Sequence, residues 1–293
     1  MVDLKEFEQK AADLRVLGMK ISIGQDTVYE KYWDEDCRRN IYSASKSFTS
    51  CAVGFAVQEG LIDLDERLMD AFKEDIPNNP DENLKKATVK DLLTMTLGQE
   101  KGFLMGKQRP RMEEQNWVKA SLAIPFVYEP GTHFVYNNVG PYLAGILVQR
   151  RAGCDLLSYL TQRLLEPWGV RKTIWEVDPE GNTFGAGGLF LTVSELHKLG
   201  MFYLQNGCWN GKKLLSKEWI HESTRKQVEN NKNSYGYGYL FWGGRYNSFL
   251  ANGKYGQYTM IFRDKNTVIS LMAESRDTDH LEEIIANEVY TKL

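Results

Sequence analysis

Ile41-Tyr42-Ser43-Ala44-Ser45-Lys46-Ser47-Phe48-Thr49-Ser50 sets a serine and a lysine three residues apart at the mouth of an apolar run. The run continues to Val57, rich in Phe, Val, Ala and Cys and free of proline, and Gly60 is suited to the turn that ends a helix. This pattern predicts a buried helix over residues 43–59. Residues three apart share a helix face, so the Lys46 amine can lie against the Ser43 hydroxyl. An alcohol is a poor nucleophile until a neighbouring base takes its proton, and a lysine serves once burial or another cation lowers its pKa. The helix start adds free N–H groups and a dipole that favours developing negative charge. Nucleophile, base and half of an oxyanion hole thus come from one turn of chain.

Ser-x-x-Lys arises by chance about once in a chain of this length. A second copy stands at Ser223-Thr224-Arg225-Lys226, read as a polar setting with no apolar helix behind it. The surroundings, not the spacing, select the first copy.

The 293 residues are 42% hydrophobic and 26% charged, enough for one large domain or two intimate ones. Lys plus Arg number 36 against 39 Asp plus Glu, a net charge of -3 without a basic block, which argues against a nucleic-acid partner. Residues 1–10 form an acidic amphipathic stretch that lacks the basic region and apolar core of a signal peptide. No run approaches the roughly 18 apolar residues of a membrane span. The expectation, with Met1 as the native start, is a cytoplasmic protein without membrane contact. Cys37, Cys51, Cys154 and Cys208 are scattered and read as reduced, mostly buried thiols. His133, His197, His221 and His280 have no metal-ligand spacing, and no Gly-x-Ser-x-Gly elbow or phosphate loop occurs, which disfavours a metal or nucleotide enzyme.

After the first helix, residues 17–23 and 27–33 flank Gly24-Gln25-Asp26 as a hairpin. From 61 to 168 the pattern is mainly helical, with a capped helix near 88–96, a loop at 76–83 and a long polar loop at 99–111 that is placed to border a site. Helices are expected at 141–152, 192–205 and 280–293, with turns at Asn206-Gly207 and Asn210-Gly211. Residues 235–272 read as three or four strands. An isolated hairpin is barely stable, so the N-terminal strands are expected to join the C-terminal ones in one antiparallel sheet.

Tyr136-Asn137-Asn138 follows the Pro130-Gly131 turn, where side chains are displayed at a surface or cleft. A lysine nearby would push a phenol towards ionisation, so Tyr136 is a candidate to share the proton work. Asn138 suits holding both lysine and a substrate amide. Local pattern alone favours a core tyrosine and a turn asparagine. Ala251-Asn252-Gly253-Lys254 can bring a ligand close to strand backbone and complete the oxyanion hole, or can be a hairpin turn at Asn252-Gly253. Trp117, Tyr239, Trp242 and Tyr246 are candidate cleft aromatics, and each also fits a core or surface place.

Taken in order, these stretches resemble the serine hydrolases of the penicillin-binding protein and class C β-lactamase family, for which Ser-x-x-Lys is a known signature. The resemblance also rests on residues 92–98, 130–138 and 187–192 and on Tyr235-Gly236-Tyr237-Gly238. It implies an α+β fold: an antiparallel sheet flanked by helices, from residues 1–66 and 180–293, with a mostly helical insertion at 67–179. It also implies that Ser43 forms an acyl-enzyme, that Lys46 and Tyr136 move protons, and that Asn138 contacts substrate. The family's third motif usually begins with a lysine or histidine that helps hold a carboxylate. Here Ala251 stands at that position, a loss of roughly 1.5–3 kcal/mol for a charged hydrogen bond. Gly256-Gln257-Tyr258 looks more like the branch of 6-aminohexanoate-dimer hydrolases and carboxylesterases, and Lys254 is a candidate replacement cation.

The leading expectation is a hydrolase of a small-molecule amide or ester, without a cofactor. The alternatives are a β-lactamase or D-Ala-D-Ala carboxypeptidase, and a non-catalytic ligand-binding domain. Substrate identity and oligomeric state are left open.

Overall fold

The computed structural model describes residues 2–293. After a helix over Lys5–Ala11, the expected hairpin forms from Val16–Ile23 and Asp26–Tyr32, with Gly24 left-handed at its turn. The hairpin does not stand alone. Val16–Ile23 pairs with Thr267–Ala273, and the sheet continues through Gln257–Phe262, Phe249–Gly253 and Trp242–Gly243, six strands in all and antiparallel throughout. Ile21 lies opposite Ile269, and Gly253 opposite Gln257.

Both faces of the sheet are covered, so its central strands are buried along their length instead of on alternate residues; every residue of Gln257–Phe262 and Thr267–Ala273 is buried. On one face Met19, Ile21, Tyr258 and Leu271 pack with Phe7 of the first helix and with Leu281 and Ile285 of the C-terminal one. On the other face Ile261 and Val268 belong to a core that runs on through the helix Val193–Leu204 into the helical middle of the chain. Gly200 permits this close approach: a Cβ there would lie 2.4 Å from a Val268 methyl and 2.5 Å from Thr259 Oγ1.

In the middle of the chain the helix Ser45–Gln58 packs against Val139–Ala152 and the sheet edge. A short helix, Val89–Thr94, is closed by a reciprocal cap in which Thr88 and Asp91 bond each other's backbone N–H groups. The α+β class therefore stands, and helices and strands fall close to their predicted places.

Two expectations need correction, and one alternative is decided. A helix over Lys217–Thr224, capped by Ser216, was not foreseen, and it buries Ser223, whose hydroxyl donates to the Ile220 carbonyl. That helix precedes the second Ser-x-x-Lys, with Ser223 in its last turn, and no helix follows the motif over residues 225–234. Of the two readings of residues 251–254, the hairpin turn at Asn252-Gly253 is not found: both residues are strand, and the turn lies at Lys254-Tyr255-Gly256, with Tyr255 and Gly256 left-handed. Of the four thiols, only Cys51 is buried; Cys37 and Cys154 are exposed and Cys208 is half-buried. Among the described residues no helix is long and apolar enough to cross a membrane.

Candidate active site

Ser43 sits just ahead of its helix, in a single tight turn over Tyr42–Ala44, and the α-helix proper begins at Ser45. Tyr42 causes the break: it is left-handed, at φ 47°, a conformation that costs a non-glycine residue roughly 1 kcal/mol. Two bonds hold it there. The Tyr42 N–H donates to Asn40 Oδ1 at 2.7 Å, and the Ser45 hydroxyl donates to the Tyr42 carbonyl at 2.6 Å. The helix is pinned further in by the hydroxyls of Ser47, on the Leu240 carbonyl, and Thr49, on the Gly185 carbonyl.

Lys46 is 1% exposed and has three oxygen neighbours: Asn138 Oδ1 at 2.7 Å, the Ala186 carbonyl at 2.7 Å and Ser43 Oγ at 2.9 Å. None of them is a carboxylate. Burial, followed by the charge of Arg109, lowers the amine to about 7, so near neutrality much of it is uncharged. A neutral amine has two N–H donors and one lone pair. The two carbonyl-type oxygens take the donors, and the lone pair is left for the Ser43 proton.

Tyr136 brings its ring to 5.1 Å from Lys46 Nζ and packs on Trp242 at 5.3 Å. Its phenol is not pushed towards ionisation as the sequence suggested. Burial drives it up to about 12, and a hydrogen bond with Ser43 offsets only part of that rise. With the lysine itself lowered to about 7, less positive charge remains near neutrality to favour a phenolate. At neutral pH the phenol is therefore protonated.

The two asparagines divide their tasks. Asn137 Oδ1 accepts from the Gly140 N–H, capping the helix Val139–Ala152, which is the turn role considered for its neighbour. Asn138 faces inward: Oδ1 meets Lys46, and Nδ2 donates to the Leu104 carbonyl at 2.9 Å. Residues 99–111 thus do border the site, and only one amide hydrogen of Asn138 is free for a substrate.

From the third segment, Gly253 packs on the serine turn; a Cβ there would lie 2.1 Å from the Ile41 carbonyl oxygen. Backbone at 253–254 is thereby brought beside the turn that carries the Ser43 N–H. Ala251 is buried in the core shared with Ile41 and Ala44, and Asn252 is half-buried. Lys254 is exposed, its ammonium 4.5 Å from the Tyr255 ring centroid. The cation that acts on the site is one that the sequence reading missed, Arg109. It is held over the Phe184 ring at 4.2 Å and paired with Glu176 at 3.1 Å, and its Nε is buried with no partner among the described residues. Its only sequence signal was membership of the polar loop at 99–111. Of the candidate aromatics, Trp242 alone touches a site side chain. Trp117 packs on Tyr142 and Phe184, Tyr239 on Trp219, and Tyr246 stacks on Tyr290.

Fold and site together define a class, the serine hydrolases and acyltransferases built on one antiparallel sheet. Residues 5–289 match the sequence profile named Beta-lactamase, and the chain belongs to that family. It is similar to monacolin J acid methylbutanoyltransferase of Aspergillus terreus (strain NIH 2624 / FGSC A1156), 30% identical over 157 residues, 47% of this chain and 37% of the relative. It is also similar to lovastatin esterase of Penicillium rubens (strain ATCC 28089 / DSM 1075 / NRRL 1951 / Wisconsin 54-1255), 29% identical over 150 residues, 44% of this chain and 37% of the relative. Each match spans little more than a third of these curated relatives. Among solved structures, a putative 6-aminohexanoate-dimer hydrolase from Bacillus anthracis superposes with a TM-score of 0.81 at 20% identity, covering 96% of this chain and 79% of the other.

Proposed function

We propose that this protein cleaves a small ester or amide through an acyl-enzyme on Ser43. Lys46 takes the hydroxyl proton as Ser43 Oγ bonds to the substrate carbonyl carbon, and the oxyanion is held by the Ser43 N–H and a backbone N–H at 253–254. Collapse breaks the bond to the leaving group, which receives a proton through Tyr136. Water then attacks the acyl carbon, gives a proton back through the same pair, and frees Ser43. Asn138 keeps Lys46 aimed and lends its free amide hydrogen to the substrate. These steps use no cofactor.

The observation that carries this reading is the setting of Lys46: a buried amine without a carboxylate partner, its donors occupied by Asn138 and Ala186 and its third direction on Ser43. The uncharged Ala251 argues for substrates other than penicillins. Turnover of a p-nitrophenyl ester, a p-nitroanilide and a chromogenic cephalosporin tests this. The expected order places the cephalosporin about ten- to a hundred-fold below the better of the other two, the loss of one charged hydrogen bond. A cephalosporin turned over fastest would contradict it.

A second reading has support from the methylbutanoyltransferase relative: an alcohol replaces water as acyl acceptor. Product analysis with an added alcohol separates the two. Transfer predicts an ester product that grows with alcohol at the expense of free acid, and hydrolysis predicts none.

A further inference from the structure

The turn that presents Ser43 is held by a side chain that is itself held. Asn40 Oδ1 accepts from the Tyr42 N–H at 2.7 Å, and Asn40 Nδ2 donates to Glu176 Oε1 at 3.3 Å. The other Glu176 oxygen accepts from Arg109 Nη1 at 3.1 Å, so each oxygen has its own partner. Asn40 and Glu176 are both half-buried. Glu176 has little freedom to leave this place. Its N–H donates to the Gly188 carbonyl at 2.9 Å, and its carbonyl accepts from the Phe184 N–H at 2.8 Å. The side chain lies flat on Gly188, where an added Cβ would come within 2.5 Å of Glu176 Cβ, Cγ and Cδ. The same segment reaches the nucleophile: the Ala186 carbonyl accepts from Lys46, and the Leu189 carbonyl accepts from the Ile41 N–H at 2.9 Å.

An asparagine amide can face a neighbour with its oxygen or with its nitrogen, and only the oxygen can accept from the Tyr42 N–H. A carboxylate accepts and cannot donate. Glu176 therefore admits only Nδ2 on its side, which turns Oδ1 towards the backbone. Tyr42 depends on that bond, because its left-handed conformation, at φ 47°, is unfavourable for a residue with a side chain. Two hydrogen bonds in series thus run from Glu176 to the residue that precedes the nucleophile.

We propose that Glu176 is a positioning residue for Ser43, acting through the Asn40 amide on the Tyr42 turn; this rests on the acyl-enzyme reading of Ser43. Steady-state ester kinetics, measured at a pH well above the lysine midpoint, test it. Glu176→Ala should lower kcat about three- to ten-fold with KM nearly unchanged, the mark of an interaction that serves the transition state. Asn40→Ala should lower kcat at least as far. Because the two act in series, Asn40→Ala/Glu176→Ala should fall no lower than Asn40→Ala alone, whereas independent structural roles would multiply. Asn40→Asp sets two carboxylates face to face and should also lose kcat. Adding Glu176→Gln, whose amide nitrogen donates, should restore most of that loss. Circular dichroism establishes that each variant folds. Parental kcat in Glu176→Ala, multiplied losses in the double variant, or no recovery in Asn40→Asp/Glu176→Gln would overturn the proposal. Intact mass after an ester pulse keeps the two readings apart. An acyl group on Ser43 of the parent, with unchanged kcat in Glu176→Ala, overturns the positioning role alone; no acyl group on Ser43 overturns the acyl-enzyme reading beneath it.

Discussion

Lys46 gives up its charge because nothing around it offers a counter-charge, and that fixes how activity should vary with pH. A base lowered to about 7 is inactive when protonated, so kcat/KM should rise through a midpoint near 7 and level off above it. Arg109 adds repulsion to the protonated form. Arg109→Gln should therefore raise the midpoint by on the order of one unit or less, with the plateau largely retained. An unmoved midpoint in a pH–rate profile would show that burial alone sets the lysine. Tyr136, held up to about 12, should contribute no limb near neutrality, and Tyr136→Phe should lower the plateau without shifting the midpoint. At this scale the sequence was partly legible. Spacing brought Ser43 and Lys46 together, and the Tyr136-x-Asn138 pattern supplied the other two. The tyrosine's protonation state was not legible, because the competition between burial and a nearby charge depends on packing. Arg109 was invisible for the same reason: its place over Phe184 is set by a loop with no periodicity.

The turn at Tyr42–Ala44 and the hairpin that ends Phe249–Gly253 act as one unit. Gly253 is fixed by contact instead of by dihedral strain, since a methyl group there would drive into the Ile41 carbonyl that closes the serine turn. Gly253→Ala should therefore cost activity far more than a surface substitution does. A displacement of Ser43 by about 1 Å predicts a loss of roughly a hundred-fold in kcat/KM. Ester kinetics on folded protein, with folding monitored by circular dichroism, measures it; a variant with parental kinetics would separate the hairpin from the nucleophile. Elements with their own punctuation were readable. Thr88-Val89-Lys90-Asp91 announces its cap, and Thr192 with Glu195 does the same for Val193–Leu204. The helix Lys217–Thr224 was missed because only Trp219 and Ile220 mark its apolar face, the rest of the buried side being Ser223 and Thr224. The strand at Asn252-Gly253 could not be told from a hairpin turn because Asn-Gly is a strong turn dipeptide. Pairing with Tyr258 and Gln257 overrides it.

Across the whole molecule, strands from the two ends of the chain close one sheet over a helix that carries a buried histidine. His197 bonds Ser22 through Nε2 and Ser270 through Nδ1, both at 2.9 Å, and burial, reinforced by the Lys20 charge, pushes it down to about 3. A group lowered from its ordinary value of 6.5 costs nothing above that pH and opposes folding increasingly below it. Stability should fall by about 1.4 kcal/mol per pH unit from 6.5 towards 3 on this account, and His197→Gln should flatten that slope in urea titrations. Joining the N-terminal hairpin to the C-terminal strands was legible because a hairpin alone cannot bury enough surface. The histidine's place was not, since nothing local distinguishes it from the other three. Convergence of three distant segments on one hydroxyl is the claim on which the catalytic reading rests. Intact-mass analysis after mixing with a slowly deacylating ester tests it most directly: one acyl group should add to the parent protein, map to the peptide containing Ser43 and be absent from Ser43→Ala. An adduct of equal yield on the Ser43→Ala protein would contradict it.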